Sequence, residues 1–232
     1  MDGFKDFTIG SGDQHVGLKA KRFKGKEGET YRVSFVWIGE DKEGKPSPRF
    51  TGAERHYMQG VGYFLNKGPE YSKIAGGPPK QAIATILCVW PTDKKGRLNA
   101  EQFKSGEGWQ VMPWVFSPDK YEQIVRRHDE WPLTDFDLTL ACTDTQYQKM
   151  DLSPARECLF KKLAESDKAG AKAIAERILL EVSNVEKALQ NDIARELTLD
   201  QIREKLGGSS ASGTPSTTTE NVEGLLDDLL DE

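Results

Sequence analysis

A chain of 232 residues with 37% hydrophobic and 30% charged positions can build one sizeable core or two small ones. It has no apolar run of about eighteen residues, which excludes a transmembrane helix, and its first residues, MDGFKDFTIGSGDQ, lack the basic head and apolar stretch of a secretory signal. Three widely spaced cysteines, Cys88, Cys142 and Cys158, exclude a disulfide framework and predict a reducing cytoplasm.

The net charge of -5 is unevenly spread. Residues 207–232 carry six acids and no Lys or Arg, which leaves 32 basic against 31 acidic residues in 1–206. Residues 15–26 hold Lys19, Lys21, Arg22, Lys24 and Lys26 and no acid. The chain thus reads as a basic arm, a near-neutral body and an acidic end, a distribution that makes nucleic acid a partner to test.

In chain order, residues 1–29 form the arm, and residues 30–38, TYRVSFVWI, are a predicted strand, rich in β-branched and aromatic residues. A turn-rich connection follows at 40–48. Residues 50–80 read as an elaborated connection with one short helix at 54–65. The apolar run 82–90, AIATILCVW, stopped by Pro91, predicts a buried strand. Residues 110–116 predict another, which Pro113 marks as an edge or a bulge. Ser117 and Pro118 then supply an N-cap and first-turn proline for a helix whose inner face is Tyr121, Ile124, Val125 and His128, ended by Trp131-Pro132. Residues 136–142 alternate as a strand, with 146–152 as its partner. Three strands, a helix and two strands over 30–152 fit a five-stranded Greek-key barrel of the OB type, a mainly β fold with α elements. An unspecified small barrel or sandwich fits the same pattern.

The second half predicts helices. Ser153-Pro154 repeats the cap-plus-proline start, with Leu159, Phe160 and Leu163 on the apolar side. Ile174, Ile178, Val182, Val185, Leu189 and Ile193 mark a long amphipathic helix. Thr198 and Gln201 have capping-box spacing and open a short helix to Leu206, stopped by Gly207-Gly208. The helical extension therefore covers 153–206, a Gly/Ser/Thr linker 207–219, and a disordered acidic tail 220–232.

No chemistry-bearing motif stands out. Neither a GxxxxGK phosphate loop nor GxSxG is present, and His15, His56 and His128 have no companion nucleophile in sequence. His128 reads as a packed or capping residue. No CxxC exists, so the cysteines predict small buried apolar groups and no metal site or cofactor. Single-strand binding needs cations along phosphates and aromatic faces for unstacked bases. Such clusters occur at Lys21, Arg22, Phe23 and Lys24, at Arg49 and Phe50, at Arg55 and Tyr57 with Tyr63 and Lys80 nearby, and at Tyr147 and Lys149. With Lys19 and Lys26 they form the candidate nucleic-acid-binding set. Trp37, Trp90, Trp109 and Trp114 read as core. In the tail, Leu225, Leu226, Leu229 and Leu230 fall on one helical face beside Asp227 and Asp228, a pattern suited to docking in a partner groove.

The segments ATILCVWP, WVFSPDKYEQIV and DFDLTLACTDTQYQKMDLSP, with TLDQIREKLGG and SSASGTPSTTTENVEGLLDDLLDE, resemble the single-stranded DNA-binding proteins of tailed phages, the T-even helix-destabilising type in particular. The resemblance runs from about residue 82 onward and is strongest in the tail. It implies an OB barrel, no catalysis, and coating of single-stranded DNA in replication, recombination and repair within the bacterial host cytoplasm. It also implies recruitment of polymerase, helicase or helicase loader through the tail, and cooperative self-association on DNA. Two departures matter. The zinc module of that family uses one His and three Cys, whereas His56 has no cysteine near it, so the 50–80 loop is expected to fold without metal. The basic stretch also lies later than in the family. The rival readings are a transcription or replication adaptor docking on a clamp or RNA polymerase through its tail, and a nuclease using scattered carboxylates.

Overall fold

A computed structural model describes residues 22–105, 107–144, 149–155 and 157–208. The acidic tail, Lys19, Lys21 and Tyr147 lie outside these residues.

Alternating apolar residues build a mostly antiparallel open sheet of seven strands. These are β1 (Thr30–Phe35), β4 (Thr51–Met58), β5 (Gly62–Leu65), β6 (Lys80–Val89), β7 (Gln110–Phe116), β8 (Leu138–Cys142) and β9 (Met150–Pro154). A separate small hairpin, β2 (Ile38–Glu40) with β3 (Pro46–Pro48), occupies the turn-rich stretch. The long apolar strand β6 organises the rest. Along one edge it pairs with β7 from Ile83 to Val89. Along the other it pairs with β4 over Lys80 to Ala84 and with β1 over Leu87 to Val89. Where the partner changes, Thr85 Oγ1 donates to the Arg49 carbonyl at 2.8 Å and the Val36 N–H to the Ile86 carbonyl at 3.4 Å. β1 continues to β8, and β8 to β9.

Because side chains alternate across a strand, the sheet has two apolar faces. Val33, Phe35, Leu87, Met112, Trp114, Leu138, Leu140, Met150 and Leu152 share the inner one. It is closed at one end by Ile124 of α3 (Pro118–Glu130) and by Leu133. The C-cap of that helix is Trp131, whereas His128 ties down the segment that follows: its Nδ1 accepts the Leu133 N–H at 3.0 Å. Among the described residues no ladder joins β7 to β9. Phe23 lies beside β7, donating its N–H to the Pro113 carbonyl at 2.8 Å. β7 is therefore an edge strand, as Pro113 predicted.

The outer face, with Ala82, Ala84, Ile86 and Cys88, is covered by α4 (Leu159–Ser166) and α5 (Lys168–Ile193). All six predicted apolar positions of α5 are buried. At about 1.5–2 kcal/mol each, they contribute roughly 10 kcal/mol of apolar burial. Buried Asp137 anchors the start of this helical layer. Its Oδ1 accepts the Ser34 hydroxyl at 2.5 Å, and its Oδ2 accepts Arg32 Nε at 3.0 Å and the Leu159 N–H at 2.9 Å. Ser34 Oγ in turn accepts Trp90 Nε1–H at 2.6 Å, and Arg32 Nη2 donates to the Glu157 carbonyl at 2.6 Å.

Three expectations need correction. Residues 54–65 form a β-hairpin and no helix, because Gly60 and Gly62 take positive φ (79° and 83°) and close a tight reversal. Ser153-Pro154 ends β9 and does not open a helix. The alternation Met150, Leu152 continues through it, and α4 starts at Leu159. Cys158, expected inside a helix, is the residue capping α4. The capping box at α6 (Leu199–Gly208) forms as read: the Thr198 N–H donates to Gln201 Oε1 at 2.9 Å, and the Gln201 N–H to Thr198 Oγ1 at 3.2 Å.

Candidate nucleic-acid interface

The β4–β5 hairpin gathers the strongest part of the candidate set. Arg55 and Tyr57, two apart on β4, project from one face, and Tyr63 stands directly opposite Tyr57. On the other side of β4, Lys80 stands directly opposite Arg55. Directly opposed residues share a face, so all four side chains emerge together. The Tyr57 and Tyr63 ring centroids are 4.9 Å apart, and the two residues are 52% and 42% exposed. The Arg55 guanidinium lies over the Tyr63 ring at 3.9 Å, and its Nη1 donates to the Ile193 carbonyl at the end of α5 at 2.7 Å. Burial lowers the pKa of Arg55, the Tyr63 hydroxyl opposes that shift, and the charge of Arg22 adds to it.

The hairpin's other face is apolar and anchored. Val61 and Phe64 pack with Tyr71 and Ile74 of α1 (Pro69–Ala75) and with Ile202 of α6. His56 is buried against Phe64, with ring centroids at 5.5 Å. Its Nε2 lies 3.2 Å from Asn66 Oδ1 and 3.5 Å from Ser72 Oγ. Asn66 Nδ2 donates to Glu54, so Asn66 Oδ1 is the acceptor and His56 Nε2 carries the proton. With the proton there, Ser72 has no basic nitrogen to activate it, and the trio builds no nucleophilic relay. The chain leaving α5 completes the support: the Leu65 N–H donates to the Arg195 carbonyl at 2.9 Å, and the Tyr71 hydroxyl to the Leu197 carbonyl at 3.0 Å.

The other candidates are placed elsewhere. Phe23, read as a base platform, is only 6% exposed and packs edge-on against Tyr31 and Trp114 at 5.1 and 6.1 Å. It belongs to the apolar cluster that Met112 and Trp114 of β7 share with β1 and β8. Phe50 is half-buried in a ring cluster with Tyr121, Phe35 and Phe116 at 5.0–6.3 Å, which leaves it a core-edge residue. Arg49 is exposed but sits 5.0 Å over the Trp37 ring and 3.8 Å from Glu186. Lys24, Lys26 and Lys149 are exposed, away from the hairpin in sequence. Trp37, Trp90 and Trp114 are core, and Trp109 packs against it. Among the described residues the buried indole N–H groups of Trp37 and Trp109 have no hydrogen-bond partner. Among the described residues no group of three or more His, Cys, Asp or Glu is placed to hold a metal ion.

Sequence reasoning missed the Arg55–Ile193 contact and the shared face. The readable signal was the i, i+2 pair Arg55 and Tyr57 followed, after a Gly-Val-Gly reversal, by Tyr63. No protein-family model, curated protein or solved structure matches the chain.

Proposed function

We propose that the protein binds single-stranded DNA with little sequence preference, through the Arg55–Tyr57–Tyr63–Lys80 face, and protects it during phage replication, recombination and repair. The observation that carries this reading is the exposed tyrosine pair flanked by cations. Stacked bases and neutralised phosphates are the two contacts such binding uses.

The strand pairing supports it. β1 with β6, β6 with β7, β1 with β8, and β8 with β9 follow the connectivity of a five-stranded OB barrel, with α3 between its third and fourth strands. OB folds that bind oligonucleotides use the face of strands 2 and 3 and the connections between strands 1 and 2 and between 4 and 5. Here α5 covers the outer face of β6 and β7, so recognition passes to the connections. The β4–β5 hairpin belongs to the first of these, and Lys149 with Tyr147 to the second. Residues 220–232, with Leu225, Leu226, Leu229 and Leu230 beside Asp227 and Asp228, serve as the docking segment for replication proteins.

Fluorescence anisotropy with labelled oligo-dT and a duplex competitor tests the reading. We expect preference for the single strand and affinity that falls steeply with salt. Tyr57→Ala should weaken binding by about 1–3 kcal/mol, the worth of one stacked base. Equal affinity for duplex and oligo-dT overturns it.

A further inference from the structure

We propose that Arg55 is a positioning residue for the tyrosine pair, that the base stacks on Tyr57, and that Lys80 makes the phosphate contact on this face. The proposal rests on the nucleic-acid reading of the hairpin.

Arg55 is already committed on two sides. Its Nη1 bonds the Ile193 carbonyl at 2.7 Å, at the negative end of the 26-residue helix α5. Its guanidinium also covers the Tyr63 ring at 3.9 Å. These contacts hold Arg55 half-buried, less open to a phosphate than the exposed Lys80 on the same face. A guanidinium held against a helix C-terminus and an aromatic face is instead a strut: it fixes the Tyr63 ring, and Tyr63 fixes Tyr57.

The rings define where a base goes. At 4.9 Å between centroids they are already in contact, with no gap for a base between them. Tyr63 carries Arg55 and Tyr57, whereas Tyr57 is the more exposed of the two residues and has Tyr63 as its one ring contact among the described residues. The open aromatic surface is therefore that of Tyr57. Lys80 is diagonal to it on the same face, about 7–8 Å away between backbones, within the reach between a base and its own phosphate. Lys80 is exposed and, among the described residues, faces no carboxylate in an ion pair.

The two cations should therefore differ in how their loss depends on salt. Each phosphate contact on a single strand contributes about 0.7 to the slope of log K against log salt. We would measure that slope for oligo-dT with wild type, Lys80→Gln, Arg55→Gln and Arg55→Lys, each checked for unchanged urea unfolding. Lys80→Gln should lower the slope by about 0.7. Arg55→Gln should weaken binding roughly three- to tenfold at every salt and leave the slope unchanged, because what is lost is a cation–π contact. Arg55→Lys, which keeps the charge but loses the plane, should weaken binding almost as much as Arg55→Gln. If Arg55→Gln lowers the slope as Lys80→Gln does, or if Arg55→Lys restores wild-type binding, Arg55 contacts phosphate and the proposal fails. If wild type shows no preference for oligo-dT over duplex, the underlying nucleic-acid reading fails instead.

Discussion

Asp137 offers a sharp test of what joins the helical layer to the sheet. Removing its carboxylate in Asp137→Ala leaves the largely buried Arg32 without a counter-charge, the Leu159 N–H without an acceptor, and the Ser34 hydroxyl without its partner. Breaking a buried charge pair by deleting one member costs about 3–5 kcal/mol. Against a typical total stability of about 5–15 kcal/mol, the variant should remain folded at 25 °C. Its Tm should fall by roughly 10 °C, at about 2–4 °C per kcal/mol for a chain of this size. Asp137→Asn should cost less, about 2 kcal/mol. Both carboxylate oxygens face donors, so an amide can satisfy only one side. The cheaper flip keeps Oδ1 on Arg32 and Leu159 and turns Nδ2 toward Ser34, whose hydroxyl proton then has nowhere to go. Urea unfolding followed by far-UV circular dichroism at neutral pH measures both. A loss below about 1 kcal/mol for Asp137→Ala, no more than one ordinary hydrogen bond, refutes the network as the anchor.

Two further outcomes follow from the local chemistry. Thr198→Ala should cost about 1 kcal/mol by opening the capping box, read as faster hydrogen exchange in the first turn of α6. Tyr31 lies above its ordinary value of 10.0, first through burial and then through its hydrogen bond to Glu29. The folded state thus holds the phenol proton more tightly than the unfolded state. That contribution to stability is complete below the free tyrosine range and is lost as pH rises above it. Urea midpoints measured from about pH 9 to about pH 12 should fall more steeply in wild type than in Tyr31→Phe.

What could be read from sequence followed from local rules that tertiary packing did not override. β7 occupies 110–116 as read, since Pro113 at an edge needs no ladder donor. The α5 stripe held because a 3.6-residue period leaves one burial solution. The hairpin at 51–65 escaped because its aromatics face opposite ways: His56 and Phe64 inward, Tyr57 and Tyr63 outward. A two-sided strand shows no clean polar alternation. Phe23 was misread because its neighbours Arg22 and Lys24 suggest a surface segment. Its burial depends on Pro113 and Trp114 of β7, more than eighty residues away in sequence. The convergence of Arg55 on Ile193 joins residues 138 apart and has no local signature.

The helical cover over β6 also dictates a hazard of synthesis. Chains emerge from the N-terminus, so the sheet is complete once β9 has left the ribosome at residue 154. Ala82, Ala84, Ile86, Cys88 and Trp90 then wait, uncovered, for α5 to follow. That apolar face is exposed until residue 193 has emerged. At about 5–20 residues per second the interval lasts a few seconds. During it the nascent sheet presents a sticky surface to chaperones and to other nascent chains. A message truncated between those two points should yield aggregates, whereas one ending after α6 should yield soluble protein.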